Sequence, residues 1–334
     1  MFRVTSLAEM PDAQLNRWIK RIALLFVVLL IAFVAFYAVD RFRMPTAPLV
    51  NREMAAMEEA VRADPTDIVA RGRLADVYLA AERYEDAVIQ LSEIIKTGKQ
   101  DEAAYVRRGR AYELMGNLDA AAADYAKVIE VATNAEMAGV DAMLEMAYYG
   151  LGSIALQQDR ADDAIGYLLD ALAIKRTDAD AMNLLGAAYV QAGTPEKAFE
   201  PLRQAILFVP TGWPEPYQAL ADAYTATGET EQAEWAAAMA AAMTALAPGG
   251  SGDIAGPAAR LEAIAEGKAG LDARIGLGLL AETSGDTGRA ADWYRKALEL
   301  DPQSKAAQLG LSRVADGTQV HPDVVPSASP EGSN

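Results

Sequence analysis

Gly150-Leu-Gly152-Ser-Ile-Ala155 and Gly276-Leu-Gly278-Leu-Leu-Ala281 are the two places where residue type and spacing suggest a dinucleotide pocket. Both fit a loose GxGxxA fingerprint, whose glycines let backbone approach a pyrophosphate at a strand-to-helix turn. That chemistry requires a preceding strand. Here each stretch falls inside a helical pattern, at a point where a small residue serves packing. Gly249-Gly250-Ser251-Gly252 lacks the Lys-Ser/Thr of a phosphate loop and reads as linker. The carboxylate pairs Glu58/Glu59 and Asp162/Asp163 are spaced as solvated helix faces. The chain has no cysteine and one histidine, His321, in a Pro/Ser-rich tail. Disulfides, thiolate metal sites and cysteine nucleophiles are excluded, and histidine chemistry has almost no material. Nothing assembles a nucleophile, a base and an oxyanion donor. The sequence therefore predicts no catalytic residue, no cofactor and no metal, and the chain reads as a non-enzyme.

The elements that must position any binding residues are helices. Of 334 residues, 52% are hydrophobic, 23% charged and only 7% aromatic, alanine is abundant, and no alternating β-branched runs stand out. That composition supports a sizeable, all-α core. A net charge of −17 argues against nucleic acid as a partner. The charge is uneven: residues 1–52 carry seven basic and three acidic side chains, a net +4.

The apolar run 22–39, IALLFVVLLIAFVAFYAV, follows a basic segment, 1–21. Eighteen helical residues span roughly 27 Å, close to the ~30 Å hydrocarbon core of a bilayer. A cleaved signal peptide would have a shorter core and small residues before the cut, whereas Phe36 occupies the −3 position of the most obvious site. The run is read as an uncleaved single-pass transmembrane helix. Arg17, Lys20 and Arg21 precede it, and Arg41 and Arg43 follow with Asp40 between. This small positive-inside bias favours a cytoplasmic N-terminus and an extracytoplasmic (periplasmic or outer-side) domain, with a cytoplasm-facing domain as the alternative. Residues 40–50 are a linker whose two prolines discourage a continuous helix into the domain.

Beyond it, residues 179–210 set out a grid: Leu185, Gly186, Tyr189, Gly193, Ala198, Leu202, Ala205 and Pro210. It predicts two amphipathic helices, roughly 180–191 and 195–208, with Gly193 in the turn. Thr194 is expected to cap the second helix, Pro195 to take its first position, and Pro210 to stop it. The grid repeats from starts near 68, 102, 145, 179, 214 and 271. Three of the five gaps are 34 or 35 residues. The gap of 43 implies an insertion near 133–141, and the gap of 57 a linker and an extra helix near 257–266.

This spacing resembles the tetratricopeptide repeat, a 34-residue helix–turn–helix unit. The resemblance covers 51–315: a half-repeat and five repeats over 51–247, a flexible linker at 248–256 that would divide the solenoid, and an extra helix, a last repeat and a closing helix over 257–315. Residues 316–334 are read as a disordered tail. The resemblance implies stacked hairpins in a superhelical solenoid. Ala75, Gly109, Gly152, Gly186, Ala198, Ala221, Gly278 and Ala290 would be its small packing residues. It also implies a concave groove that takes a partner's peptide or helix, lined here by Arg73, Arg107, Arg110, Tyr149, Asn183, Gln218 and Asp222. The early arginines would form forks for an acidic segment. Chaperone-type carboxylate binding is not carried over, because Gly72 and Asp76 stand where Lys and Asn are needed. The chain is also similar to bacterial single-pass repeat proteins that assist assembly of membrane or envelope complexes. The expectation is a membrane-anchored interaction scaffold or assembly factor, with a cytoplasm-facing docking platform as the alternative and an enzyme with an acidic groove site a remote one.

Overall fold

Aspartates start many of the helices. Asp67, Asp101, Asp178 and Asp286 each accept a hydrogen bond from a backbone N–H of the first turn, at 2.8–3.0 Å. They satisfy donors that a helix N-terminus cannot pair internally. The computed structural model describes residues 26, 49–97, 101–132, 142–209 and 211–317. It divides into two compact units, Met1–Arg83 and Tyr84–Asn334. The first contains α1 (Leu49–Ala63) packed on α2 (Ile68–Ala80). The second contains α3 (Tyr84–Lys96), α4 (Glu102–Leu114), α5 (Leu118–Ala132), α6 (Ala142–Gln157), α7 (Ala161–Ile174) and α8 (Ala179–Gln191). It continues with α9 (Phe199–Phe208), α10 (Glu215–Thr227), α11 (Thr230–Leu246), α12 (Ala255–Ile264), α13 (Gly270–Thr283), α14 (Thr287–Leu300) and α15 (Lys305–Asp316). No strand occurs among the described residues.

Each hairpin turns in the same way. A backbone N–H reaches back five residues to close the turn, at Arg83, Asn117, Arg160, Thr194, Glu229 and Asp286, with distances of 2.8–2.9 Å. These donors follow the spacing of the repeat starts. Gly193 takes a left-handed φ of 71° in its turn, and Asp159 takes 57° at the same place where glycine is missing.

Within the second unit, α4, α6, α8 and α10 pack side by side as well as on their hairpin partners. Close approach depends on a recurring pair of positions. An added Cβ on Gly109 would lie 2.9 Å from the Tyr125 ring, on Gly152 2.6 Å from Leu168 Cγ, and on Gly278 2.6 Å from the Tyr294 ring. Leu202 fills the same notch at Gly186. Ala198, Ala221 and Ala290 are buried in the second unit, and Ala75 is buried in the first. Two tyrosines fill a second notch on the following hairpin: Tyr125 also closes on Gly150, and Tyr294 on Gly310.

Several expectations change. Residues 248–256 do not divide the core, because one buried cluster runs from Leu202 through Trp235 and Met243 to Leu261 and Leu280. The helix α12 inserted there packs on both α11 and α13, and so bridges the long gap between repeats. The boundary between units instead falls at Arg83, inside the repeat that starts near residue 68. Thr194 makes no side-chain cap, since Pro195–Lys197 forms a 3-10 turn and α9 begins only at Phe199. Its hydroxyl instead donates to the Tyr189 carbonyl at 3.3 Å.

Among the described residues no helix is long and apolar enough to cross a membrane. The run 22–39 lies, residue 26 apart, outside the described residues, as do the segment 1–21, the insertion 133–141, Pro210 and the tail from 318.

Candidate functional site

The row α4–α6–α8–α10 carries most of the residues expected to line a groove. Arg107 is half-buried on α4. Arg110, one turn on, is an occupied fork: its guanidinium pairs with Glu113 at 3.1 Å. Glu113 also accepts from the Tyr125 hydroxyl at 3.1 Å and from Ser153 Oγ at 3.3 Å. Burial works against the Arg110 charge, but Glu113 holds its pKa above the ordinary value. Glu113 thus ties α4, α5 and α6 together, and Arg110, bound to it, is not an open fork for an acidic segment. The neighbouring Arg108 is likewise engaged. It forks onto Asp124 at 2.7 and 2.8 Å and donates to Ser92 Oγ at 2.9 Å.

Tyr149 and Asn183 follow on α6 and α8, both half-buried. Burial, with Asp180 nearby, pushes the Tyr149 phenol upward. Gln218 and Asp222 are exposed on α10 and bonded to each other at 3.2 Å. Arg73 is exposed and belongs to the first unit, where it lines a shallow depression with Glu53, Met57 and Asp76.

Sequence reasoning missed an acidic cluster beside this row. Glu145 on α6 is only 6% exposed, and its carboxyl is pushed up to about 7 by burial and by Asp178. Asp178 is fixed by two jobs: it caps α8 and accepts from Lys175 Nζ at 2.6 Å. Asp180 is raised too, by burial and Asp178. A carboxyl that shares a buried site with a carboxylate keeps its proton to higher pH. No group of three potential ligands is placed to hold a metal among the described residues.

The glycines of the two GxGxxA stretches lie within α6 and α13, with no turn at either. Their missing Cβ atoms make room for protein: Tyr125 at Gly150, Leu168 at Gly152, Met239 at Gly276 and Tyr294 at Gly278.

A hollow also lies elsewhere in the second unit. A cavity of about 190 Å³ is walled by side chains of α9, α10, α11, α13, α14 and α15, among them Trp235, Met239 and Leu279. On its rim Arg203 forks onto Asp272 at 2.7 and 3.0 Å, donates to the Tyr224 hydroxyl at 2.7 Å, and lies 5.6 Å from the Trp235 ring centre. None of its lining residues was singled out as a contact from the sequence. One signal was available: Trp235 within an alanine-rich helix.

Comparison with known proteins gives the following. Two sequence models, each described as tetratricopeptide repeat, match residues 50–129 and residues 145–179 with 243–305, together more than half of the chain. A DnaJ homolog subfamily C member 3 from Gallus gallus is 27% identical over 154 residues, 44% of this chain. The match spans only 30% of that relative's length. Among solved structures, the C-terminal part of a TPR repeat-containing protein from Cytophaga hutchinsonii is 18% identical, covering 82% of this chain and 98% of that one, with a TM-score of 0.48. YrrB, described as a TPR protein with an unusual peptide-binding site, is 13% identical, covering 77% and 98%, with a TM-score of 0.42.

Proposed function

The chain belongs to the tetratricopeptide repeat family, and from that premise we propose that it is a non-enzymatic, membrane-anchored scaffold holding segments of partner proteins during assembly of a membrane or envelope complex. Proteins of this family mediate protein–protein interaction. The observation that carries the reading here is the row α4–α6–α8–α10, whose side-by-side packing puts Arg107, Tyr149, Asn183 and Gln218 on successive first helices. A row of polar side chains on rigid helices suits an extended or helical partner segment, read at several points at once. The anchor is the apolar run 22–39, and the basic residues ahead of it favour an extracytoplasmic scaffold.

Crosslinking in intact membranes, followed by identification of the captured proteins, tests the scaffold. The wild-type chain captures a defined set, and Arg107→Glu weakens capture by about tenfold, a loss of about 1.4 kcal/mol. Arg107 is reversed rather than Arg110, whose reversal would set a second carboxylate beside Glu113. Equal capture by wild type and Arg107→Glu removes the α4 end from the binding row. A topology reporter fused after residue 315 tests the side: activity only outside the cytoplasm fits the proposal, and cytoplasmic activity makes the chain a docking platform on the inner face.

A further inference from the structure

Trp235 Nε1 is the buried side-chain nitrogen or oxygen left without a hydrogen-bond partner among the described residues. The indole is 6% exposed, edge-on to Tyr217 at 6.0 Å and to Tyr224 at 6.5 Å, and it forms part of the cavity wall. A buried donor without a partner is destabilising, and because Nε1 is itself out of reach of solvent the indole presents an apolar face to the cavity. The rest of the wall is mostly aliphatic, with Met239, Ile275 and Leu279 behind and Leu207, 39% exposed, at the surface. At about 190 Å³ the hollow exceeds the ~150 Å³ apolar cavity that accepts a benzene ring, so it has room for one bulky apolar side chain.

The rim supplies the second half of the recognition chemistry. Arg203, Lys305 and Arg313 line the cavity against a single lining carboxylate, Asp272. Arg203 is committed to Asp272, and Arg313 to Glu282 at 2.9 and 3.0 Å. Lys305, the first residue of α15, is exposed and makes no ion pair among the described residues. In a chain of net charge −17, the lysine left uncommitted beside an apolar hole is complementary to an apolar group that carries a negative charge next to it.

We propose that this cavity is a specificity pocket for a partner peptide, taking one bulky aliphatic or aromatic side chain whose neighbouring residue is Asp or Glu. The side chain fills the space bounded by Trp235, Met239 and Leu279, and the adjacent carboxylate meets Lys305. The pocket rests on the scaffold reading above and supplies it with a discriminating end, distinct from the polar row on α4 to α10.

The test uses the full chain in lipid nanodiscs and an immobilised library of Ac-Gly-Xaa-Zaa-Gly peptides varied at Xaa and Zaa. Retained peptides are expected to be enriched in Leu, Ile, Met or Phe next to Asp or Glu. Lys305→Glu should remove the acidic preference while keeping the apolar one, with about a tenfold loss on the best acidic peptide and no loss on its Asn or Gln counterpart. Trp235→Phe should weaken every peptide, and the Trp235 indole N–H resonance of wild type should move on peptide addition. Absence of enrichment, an acidic preference unchanged by Lys305→Glu, or an indole resonance displaced by octanoate but by no peptide overturns the pocket. Membrane crosslinking separates the two levels: wild-type capture with an unselective pocket leaves the scaffold standing without this site, whereas loss of capture in wild type removes the scaffold itself.

Discussion

At Glu145 a single proton couples pH to stability. Its carboxyl is pushed up to about 7 in the folded chain, above the ordinary glutamate range, because burial and then Asp178 disfavour its negative charge. The folded state therefore binds more protons than the unfolded one between about pH 4.5 and 7. Its contribution to stability is fully present below that window and is lost as pH rises through 7. Glu145→Gln keeps the shape and the neutral form, so it should flatten this dependence. Thermal unfolding followed by circular dichroism should show the variant more stable than wild type at pH 8, by at most about 3 kcal/mol, and equal to it near pH 4. Parallel pH profiles for the two proteins would show that Glu145 is already ionised at neutral pH. The sequence held no sign of this carboxyl. A glutamate in the first turn of a helix reads as solvated, and only the packing of α8 against α6 brings Asp178 and Asp180 beside it.

Among the helices, the small residues matter through what lies opposite them. Gly278→Ala gains about 1 kcal/mol in helix propensity but drives a methyl group into the Tyr294 ring, where overpacking costs about 1–3 kcal/mol. A net destabilisation of up to about 2 kcal/mol is expected in chemical denaturation. Gly166 lies inside α7 with open space around its missing Cβ, and Gly166→Ala should instead stabilise by about 0.5–1 kcal/mol. Denaturation midpoints moving the same way in both variants would refute this packing account. These elements were legible in advance. The small positions Gly186 and Gly278 and the Gly193 turn stand out by spacing, whereas the side chains that fill the notches, Leu202 and Tyr294, are shown only by the packing. The start of α9 was not legible, since the 3-10 turn at Pro195 displaces it by several residues and frees Thr194 from capping. The cavity was not legible either. Arg203 and Asp272 stand 69 residues apart and meet only because α12 is inserted between two repeats.

For the whole molecule, the proposed anchor and the repeats are separable properties. Removing residues 22–39 should shift the chain from the membrane pellet to the supernatant on fractionation, while the far-ultraviolet helix signal per residue stays nearly unchanged. Retention in the pellet after alkaline washing would contradict a single anchor at that run. The repeats themselves are not interchangeable, and the reason is Tyr125. Its ring closes on Gly109 in its own hairpin and also on Gly150 in the next one, as Tyr294 does on Gly278 and then Gly310. In the hairpin that begins at Ala179, the place corresponding to Gly150 is occupied by Leu184, two residues before the Gly186 that closes on Leu202. A chimera that deleted the 142–174 hairpin and joined α5 directly to α8 would set an aromatic ring against a leucine where two glycines had left a slot. Recombination within this gene therefore has a reading direction: a unit ending in tyrosine can be shuffled only together with the glycine that receives it.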